Sequence, residues 1–294
     1  LPGSLLDALG RTLPSPVRAV APVGGGCIAN ACRVETEQGP FFLKWSRDAD
    51  VARTFAAEAA GLRALRAAES PLVVPGVRAV EAAGGASPAF LLLDWIEQGR
   101  GDRVFWERFG QGLAALHRHA VDRYGFDGDN FIGRLPQEND WSESWVDFFL
   151  DRRLLPQVRM ARERGRWSDA WERPFERLCA RLPDLLPDRP EASILHGDLW
   201  SGNFLITAGG DAALVDPAAY HGHRETDLAM TGLFGGFDAR FYAAYRAAWP
   251  LGAGYEERRE IYNLYHLLNH LNHFGGGYAG SVASTLRRRR PSSA

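Results

Sequence analysis

The chain has 294 residues, 46% of them hydrophobic and 24% charged, and a formal net charge of −2. This length suits one large domain or two moderate ones, and the near-neutral charge gives no reason to expect a nucleic acid or an anionic membrane as partner. No apolar run approaches the roughly 18 residues of a membrane span, and the N-terminal stretch lacks the pattern of a secretory signal. Three cysteines are too few for a disulfide framework and favour a reducing cytoplasm.

The first 95 residues are predicted to form a small α+β N-lobe, with a sheet and one helix. Short apolar runs bounded by Gly and Pro predict the strands, and apolar residues at helical spacing predict the helix. In chain order these are strands at 17–23, 28–35 and 41–45, a helix at about 51–68, and strands at 76–81 and 89–94.

Residues 96–294 are predicted to form a larger, mostly helical C-lobe. Its helices are expected at 103–119, 145–160, 171–182, 227–234, 241–249 and 256–274, with a loop at 136–141 and short strands at 204–206 and 213–216. The C-terminal run 287–290 consists of four arginines, which could contact phosphates but is more typical of a solvated, frayed end. A two-lobed α+β fold follows from the two parts together.

Lysine occurs once in this chain. Of the 34 basic residues 33 are Arg, and the remaining one is Lys44, on the predicted strand at 41–45. One interpretation is a site that needs a compact ammonium rather than a planar guanidinium; the other is that Arg-rich coding left one Lys by chance. Its neighbours along the chain favour the first interpretation.

The most informative string is HGDLWSGN at 196–203, followed thirteen residues after Asn203 by Asp216. An Asp and an Asn five residues apart in a loop, with a second Asp after a hairpin, suit phosphoryl transfer: Asp198 can deprotonate a hydroxyl, while Asn203 and Asp216 supply oxygen ligands to Mg²⁺. Gly, Asp and Asn are also ordinary turn residues, but the complete spacing is improbable by chance. His196 is expected to hold the loop rather than react.

The upstream segments complete an ATP site. Gly24, Gly25 and Gly26 lie between two predicted strands and can cover phosphates, although a glycine triplet alone is more often a flexible hairpin. Lys44 lies on the next strand and Glu58 14 residues later on the predicted helix. A strand Lys held by a helix Glu is the kinase arrangement.

The order and spacing of these residues resemble the protein-kinase-like fold, and the strings resemble the fructosamine kinase (ketosamine-3-kinase) family in particular. Aminoglycoside and choline kinases share the Asp/Asn/Asp plan but differ in the most specific strings. The resembling segments run nearly end to end: VGGGCI at 23–28, FAAEAAGL at 55–62, DNFIG at 129–133, PQENDW at 136–141, HGDLWSGN at 196–203, DPAAYHGHRETDLAM at 216–230 and LFGGF at 233–237.

The resemblance implies a role for each matched residue. Asp198 would be the catalytic base, Asn203 and Asp216 would bind Mg²⁺, Lys44 would contact the α- and β-phosphates of ATP, and Glu58 would hold Lys44. The glycine loop would cover the nucleotide, and the linker from Asp94 to Ile96 would meet adenine through backbone groups. Trp200 would pack on a sugar, with core packing as an equally good interpretation. Pro217 follows Asp216 where protein kinases have Phe, which favours a permanently assembled site.

Several histidines and cysteines have a less certain role. His221, His223 and Asp227 could hold a metal, but a structural segment is the preferred interpretation. His266, His270 and His273 share one helix face, which borders either the acceptor pocket or solvent. By the resemblance, Cys27 beside the glycine loop is a candidate for a redox-sensitive intermolecular disulfide; Cys32 and Cys179 are expected to be buried and inert.

The resemblance implies ATP-dependent phosphorylation of the 3-hydroxyl of a ketosamine (fructosamine or ribulosamine, free or on a protein lysine), whose product then breaks down to release the amine. An aminoglycoside or a choline-like amino alcohol is the alternative acceptor. Outside the enzymes, a nucleotide-binding pseudokinase is the alternative, although dead kinases usually lack one of the five residues present here. Neither a nucleic acid nor a membrane is expected as partner, and the chain is expected to be a monomer or a Cys27-linked dimer.

Overall fold

The computed structural model describes residues 1–13, 15–24, 29–84 and 87–287. Its first part is a five-stranded antiparallel sheet in the order β1-β2-β3-β5-β4. The elements are α1 (Gly3–Thr12), β1 (Val17–Pro22), β2 (Asn30–Thr36), β3 (Gly39–Ser46), α2 (Ala49–Ala67), β4 (Val77–Glu81) and β5 (Ala89–Asp94). Within these described ranges, no helix has the length and apolar character needed to cross a membrane.

A helix covers each face of this sheet. Leu5 and Leu9 of α1 pack with Leu43, Phe90 and Leu92 in one small core. Side chains of α2 pack on the opposite face, with Leu91 and Leu93 of β5, because successive residues of a strand point to opposite faces. The prediction of one helix in this part was therefore incomplete. Helix α1 was missed because it is short, and Pro2, Gly3 and Gly10 interrupt its helical pattern.

The rest of the chain is mostly helical, with short strands between the helices. Three small antiparallel sheets pair β7 with β8, β10 with β11, and β12 with β9 and β6. The elements are α3 (Phe105–His117), β6 (Ala120–Val121), β7 (Asn130–Ile132), β8 (Leu135–Gln137), α4 (Trp145–Phe149), a π-helical turn (Leu150–Leu154), α5 (Leu155–Glu163), a 3₁₀ turn (Asp169–Trp171), α6 (Glu172–Leu185), β9 (Ala192–Leu195), β10 (Phe204–Ile206), β11 (Ala212–Leu214), β12 (Tyr220–His223), α7 (Glu225–Leu233), α8 (Ala239–Ala248), α9 (Tyr255–Phe274), a 3₁₀ turn (Gly276–Tyr278) and α10 (Ala279–Arg287).

Several details of this part differ from the sequence prediction. The expected loop at 136–141 begins in β8, the expected helix at 145–160 contains the π-helical turn, and β12 and α10 were not predicted. The expected strand at 213–216 ends at Leu214, which leaves Asp216 outside the regular ladder. Strands of three or four residues carry too little periodicity to be recognised. Residues 288–290 of the arginine run lie outside the described residues.

Helix α2 belongs to both parts of the molecule. Phe55, Leu62 and Leu65 share one core with residues of α3, α7 and α8. Gly61 lets the helix approach the segment after Asp216 closely, since a Cβ at Gly61 would lie 3.2 Å from side-chain atoms of Pro217 and Ala219. The predicted boundary at residue 95 stays a prediction, and the shared core holds Glu58 of α2 in position relative to the C-terminal part.

Helices α3 and α8 approach each other at Gly110, and this contact predicts a stability effect. A Cβ at Gly110 would overlap the backbone carbonyl oxygen of Phe241, which has no flexible side chain to move away. We expect Gly110→Ala to lower the free energy of unfolding by about 2 kcal/mol or more, as overpacking does, measured by urea denaturation.

Gly280→Ala is the matched control, because Gly280 also lies in a helix but has open space around it. We expect it to leave stability unchanged or slightly raised. Equal stability of the Gly110→Ala and Gly280→Ala variants would show that α3 and α8 do not pack this closely.

Candidate active site

A cleft of about 480 Å³ lies between the sheet and the helical part. Nine of the residues predicted for a site line it: Gly24, Lys44, Glu58, Asp94, Ile96, Asp198, Trp200, Asn203 and Asp216. They come from segments as far apart in sequence as Gly24 and Asp216. Gly25, Gly26 and Cys27, also predicted, lie outside the described residues. The structure thus brings every described residue of the predicted site into one cavity.

Lys44 is held between two carboxylates at the back of this cleft. Its Nζ donates to both carboxylate oxygens of Glu58 at 2.9 Å, and it also donates to Asp216. Burial lowers the pKa of Lys44, but the attraction of Glu58 and Asp216 outweighs burial and raises the pKa above its usual value. The ammonium is therefore fixed and charged, and it joins β3, α2 and the segment after β11.

Asp198 and Asn203 lie at the two ends of a turn that connects β9 to β10. The Asn203 Nδ2 donates to the carbonyl oxygen of Asp198 at 2.8 Å and to its Oδ2 at 3.0 Å, so Oδ1 is the Asn203 atom that can ligate a cation. Burial raises the pKa of Asp198 to about 7, and the negative charges of Asp216 and Asp227 act in the same direction against the hydrogen bond from Asn203. A carboxylate with such a pKa is suited to accept a proton.

Backbone geometry at two positions shapes the site. Gly197 has φ +81°, and a Cβ there would overlap the carbonyl oxygen of Ala218. Asp216 has φ +54°, which is uncommon for a residue with a side chain. Strained residues cluster where a surrounding structure enforces them. At Asp216 the hydrogen bond from Lys44 holds this conformation.

Asp227, at the start of α7, positions the loop that carries Asp198. Its carboxylate accepts hydrogen bonds from the backbone amides of His196 at 2.7 Å and Gly197 at 2.9 Å. The ring of His117 lies 3.2 Å from Asp227 Oδ2, and Tyr245 Oη lies 2.8 Å from the other ring nitrogen of His117. Burial opposes ionisation of Asp227, but these hydrogen bonds lower its pKa. The side chain is thus an ionised acceptor for the loop amides.

From the sequence, Asp227 is of interest only together with His221 and His223, as a metal ligand or as part of a structural segment. Among the residues that the structure describes, no cluster of three or more His, Cys, Asp and Glu side chains could hold a metal ion. His223 instead lies 2.7 Å from Tyr262 Oη in the core. The loop-positioning role of Asp227 could not be read from spacing, because the two hydrogen-bonded amides lie 30 residues away or more.

His196 lies beneath the same loop. The buried imidazole has Nε2 2.9 Å from the carbonyl oxygen of Val215, and its Nδ1 accepts from the Asp198 amide at 3.3 Å. The ring therefore connects the Asp198 loop to the residue before Asp216.

The hairpin of β7 and β8 forms a wall of the cleft that the sequence did not predict. Asn130, Phe131 and Gly133 line the cavity. Asn130 donates to the carbonyl of Ala219 at 2.8 Å, and Gln137 donates to Asn130 at 2.7 Å and to the carbonyl of Ala218 at 3.1 Å. These amides attach the hairpin to the chain just beyond Asp216. Trp200 lies nearby with its ring against Gly202, where a Cβ would overlap it.

The linker residue Asp94 has partners within the protein. Its carboxylate accepts from Arg78 at 2.5 Å and from the amide of Gly76 at 3.1 Å, and its own amide donates to the Gly76 carbonyl at 2.9 Å. The Asp94 side chain thus stabilises the linker. The contact of the backbone of Asp94 and Ile96 with adenine stays a prediction.

The three histidines of α9 share a face that is covered by protein to different degrees. His266 is buried, while His270 and His273 are half-buried. His273 Nε2 lies 3.1 Å from the carbonyl of Ile132 and contacts Gly133 of the hairpin. The interpretation of this face as solvated surface was wrong for His266, and His273 adjoins the cleft wall.

Comparison with known proteins identifies relatives over nearly the whole chain. The model of the family described as fructosamine kinase matches residues 8–290. A Synechocystis protein named as a probable ketoamine kinase is 43% identical over 270 residues, covering 90% of this chain and 88% of the relative. The ketosamine-3-kinase of Mus musculus is 36% identical over 296 residues, covering 93% and 95%. A crystal structure from Thermobifida fusca, described as a candidate fructosamine-3-kinase, has a TM-score of 0.86 and 33% identity, covering 97% of both chains.

The Asp227 contacts predict a stability effect. We expect Asp227→Ala to lower the free energy of unfolding by about 3 kcal/mol or more, because two buried amides and His117 lose their acceptor. Tyr245→Phe, which removes only the hydroxyl at the far side of His117, should cost about 1 kcal/mol. Urea denaturation measures both, and equal effects of the two variants would contradict a central role of Asp227.

Proposed function

The chain belongs to the fructosamine kinase family and is an ATP-dependent kinase that phosphorylates a ketosamine; we propose that it does so in the cleft described above, with Asp198 as the catalytic base. The observation that carries this proposal is the convergence of Asp198, Asn203 and Asp216 with the Lys44–Glu58 ion pair on one cavity. The acceptor position is the 3-hydroxyl, as in the name of the mouse relative.

Asp198 acts on the acceptor. Its carboxylate accepts the proton of the sugar hydroxyl while the oxygen forms a bond to the γ-phosphorus of ATP and the bond to the leaving ADP breaks. Asn203 and the backbone amides held by Asp227 orient the loop, so that the base is already in place when the acceptor binds. Such positioning supplies much of the acceleration in phosphoryl transfer, where little covalent chemistry falls to the protein.

Lys44 acts on the donor. Its ammonium, held by Glu58 and Asp216, lies at the back of the cavity, where it can bind the α- and β-phosphates of ATP. The Lys44–Glu58 pair joins β3 to α2, and Pro217, the residue after Asp216, packs on Gly61 of the same helix. We therefore propose a permanently assembled site, in which no helix movement is needed before ATP binds.

Asn203 and Asp216 would hold Mg²⁺. Their donor set fits this ion, since Oδ1 of Asn203 and the half-exposed carboxylate of Asp216 are hard oxygen ligands, and Mg²⁺ usually takes one or two such ligands plus phosphate oxygens. When bound, the ion neutralises the negative charge of the phosphates. Lys44 would then share Asp216 with the ion or turn wholly to Glu58 and the phosphates.

The acceptor side of the proposal rests on Trp200 and the β7–β8 hairpin. Trp200 and Phe131 line the cleft together with Asp198, and an indole ring is suited to pack on a sugar face. We propose a ketosamine, free or on a protein lysine, as acceptor in a reducing cytoplasm, which the free thiols of Cys32 and Cys179 fit. The proposal also includes an N-lobe of residues 1–95 and a C-lobe of residues 96–294. It further includes a chain that is a monomer or a Cys27-linked dimer.

Removing the base should abolish turnover. We expect Asp198→Asn to lower kcat with a synthetic fructosamine by about 1,000-fold or more, since the amide cannot accept the proton, while ATP affinity changes little. Turnover is measured as ADP release with the fructosamine and, in parallel assays, with ribulosamine, an aminoglycoside and choline. The control variant is Asp184→Asn, which changes an exposed Asp of α6. Turnover of only the aminoglycoside or choline would refute the ketosamine as acceptor, and binding of ATP without any turnover would favour the pseudokinase.

Replacing the ammonium group of Lys44 should impair the use of ATP. We expect Lys44→Arg to lower kcat/KM for ATP by about 100-fold despite its positive charge, because the bulkier guanidinium does not fit between Glu58 and Asp216. Glu58→Gln, which keeps Lys44 but weakens its position, should have a smaller effect of the same kind. Arg33, on the neighbouring strand β2 and paired with Glu35, offers Arg33→Lys as a control, and a Lys44→Arg variant with unchanged kinetics would contradict the assigned role.

A further inference from the structure

Large aromatic side chains are exposed at one place on the described part of the molecule. Trp200, Phe234 and Phe274 are 38%, 40% and 70% exposed, and they are the exposed aromatics among the large hydrophobic side chains of residues 1–13, 15–24, 29–84 and 87–287. Exposed aromatic clusters mark binding surfaces, whereas single exposed apolar residues are ordinary. We call the group of Phe234, His270, Phe274 and Tyr278 the aromatic face.

Two close contacts join the aromatic face to the cleft. Gly236, two residues after Phe234, lies so near Ser201 that a Cβ there would be 2.6 Å from the Ser201 Cβ, which places this segment against the residue that follows Trp200. On the other side His273, next to Phe274, contacts Gly133 of the cleft wall. Chain neighbours of the aromatic face therefore touch Ser201, next to Trp200, on one side and Gly133 of the hairpin on the other.

The aromatic face is built around His270. Its Nδ1 lies 2.8 Å from the carbonyl of His266, which fixes the ring on α9. Phe234 lies 4.7 Å, Tyr278 5.0 Å and Phe274 5.6 Å from this ring, measured between centroids. A surface whose central ring is already fixed loses little conformational entropy when it binds an apolar group.

The charges around the aromatic face disfavour a cationic group there. Arg164 donates to the carbonyl of Asn272, and Arg166 to those of Leu271 and Asn272, at the end of α9. Burial lowers the pKa of His273, and Arg164, Arg134 and Arg166 lower it further. Burial likewise lowers the pKa of His270, with the neighbouring His273 acting in the same direction. A cation would be repelled by these arginines, and the arginines of α9's end are already hydrogen-bonded.

We propose that the aromatic face binds the substituent carried on the amine of the ketosamine, and that it selects apolar, aliphatic or aromatic substituents. This inference rests on the proposed function. In a ketosamine the amine is on C1 and the phosphorylated hydroxyl on C3, so the substituent leaves the sugar only two carbons from the atom that Asp198 deprotonates. With the sugar beside Trp200, the substituent leaves the cleft over Ser201 and the aromatic face.

The test compares two fructosamines that differ only in the substituent, fructosyl-glycine and fructosyl-hexylamine, with the full-length enzyme. We expect wild type to have a lower KM for the hexylamine derivative. The Phe234→Ala/Phe274→Ala double variant should raise that KM by about fivefold to tenfold, as loss of a few buried methylene contacts does. Its kcat and its KM for fructosyl-glycine should stay within about twofold of wild type.

Leu155→Ala is the control, since Leu155 is 40% exposed but lies on α5 and does not line the cleft. Phe274→Ser alone is a second variant, and because Phe274 is largely exposed we expect its melting temperature to match wild type. An equal rise of KM for both fructosamines, or no change for either, would overturn the inference. So would a wild-type dimer that the Phe274→Ser variant dissociates, which would identify the aromatic face as a contact between two copies.

The two proposals can fail separately. If wild type turns over neither fructosamine, the proposed function fails. If both are turned over with Asp198-dependent kinetics and the double variant leaves their KM ratio unchanged, only the assignment of the aromatic face fails.

Discussion

The structure depends on one buried cation and the two carboxylates that neutralise it. An ammonium removed from water is costly unless it is paired and hydrogen-bonded, and Lys44 is paired with Glu58 from α2 and Asp216 from the segment after β11. These three residues come from the sheet, from the helix behind it and from the helical part. Compensation of one charge therefore requires all three elements to be in place, and the same arrangement forms the end of the cleft that we propose for the phosphates.

Asp227, another buried carboxylate, holds the loop that carries Asp198. Its carboxylate accepts hydrogen bonds from the backbone amides of His196 and Gly197 in this loop. Asp216, the hydrogen-bond partner of Lys44, lies between this loop and Asp227 in the sequence. The packing of Pro217 on Gly61 ties these two groups together through α2. In a protein kinase that moves its helix, the Lys and the Glu of the ion pair can separate. Here α2 shares one core with α3, α7 and α8, so moving α2 away from the helical part would disrupt close packing.

The sequence predicted the charged residues that line the cleft better than the residues that hold them in place. Lys44, Glu58, Asp198, Asn203 and Asp216 have the order and spacing of the kinase arrangement, and all five line the cleft. Asp227, Asn130 and Gln137 act through hydrogen bonds to backbone atoms that are distant in sequence. Every residue has a backbone carbonyl and nearly every residue a backbone amide, so the sequence does not indicate which backbone groups these side chains will meet. Helix α1 and the strands β8 and β12 were missed because they are short and their register is set by tertiary pairing.

The Lys44 end of the cleft and the aromatic face differ in chemistry, and this difference concerns which acceptor the protein would bind. The end that we propose for the phosphates is built from charges that compensate one another, whereas the aromatic face consists of rings around a fixed imidazole, beside arginines that are hydrogen-bonded to the end of α9. Under the proposal, a purely polar acceptor such as a free sugar would leave those rings in water. A sugar joined through nitrogen to an apolar chain would cover them while its hydroxyl reaches Asp198, so the proposed aromatic face favours a substrate with a polar head and an apolar substituent.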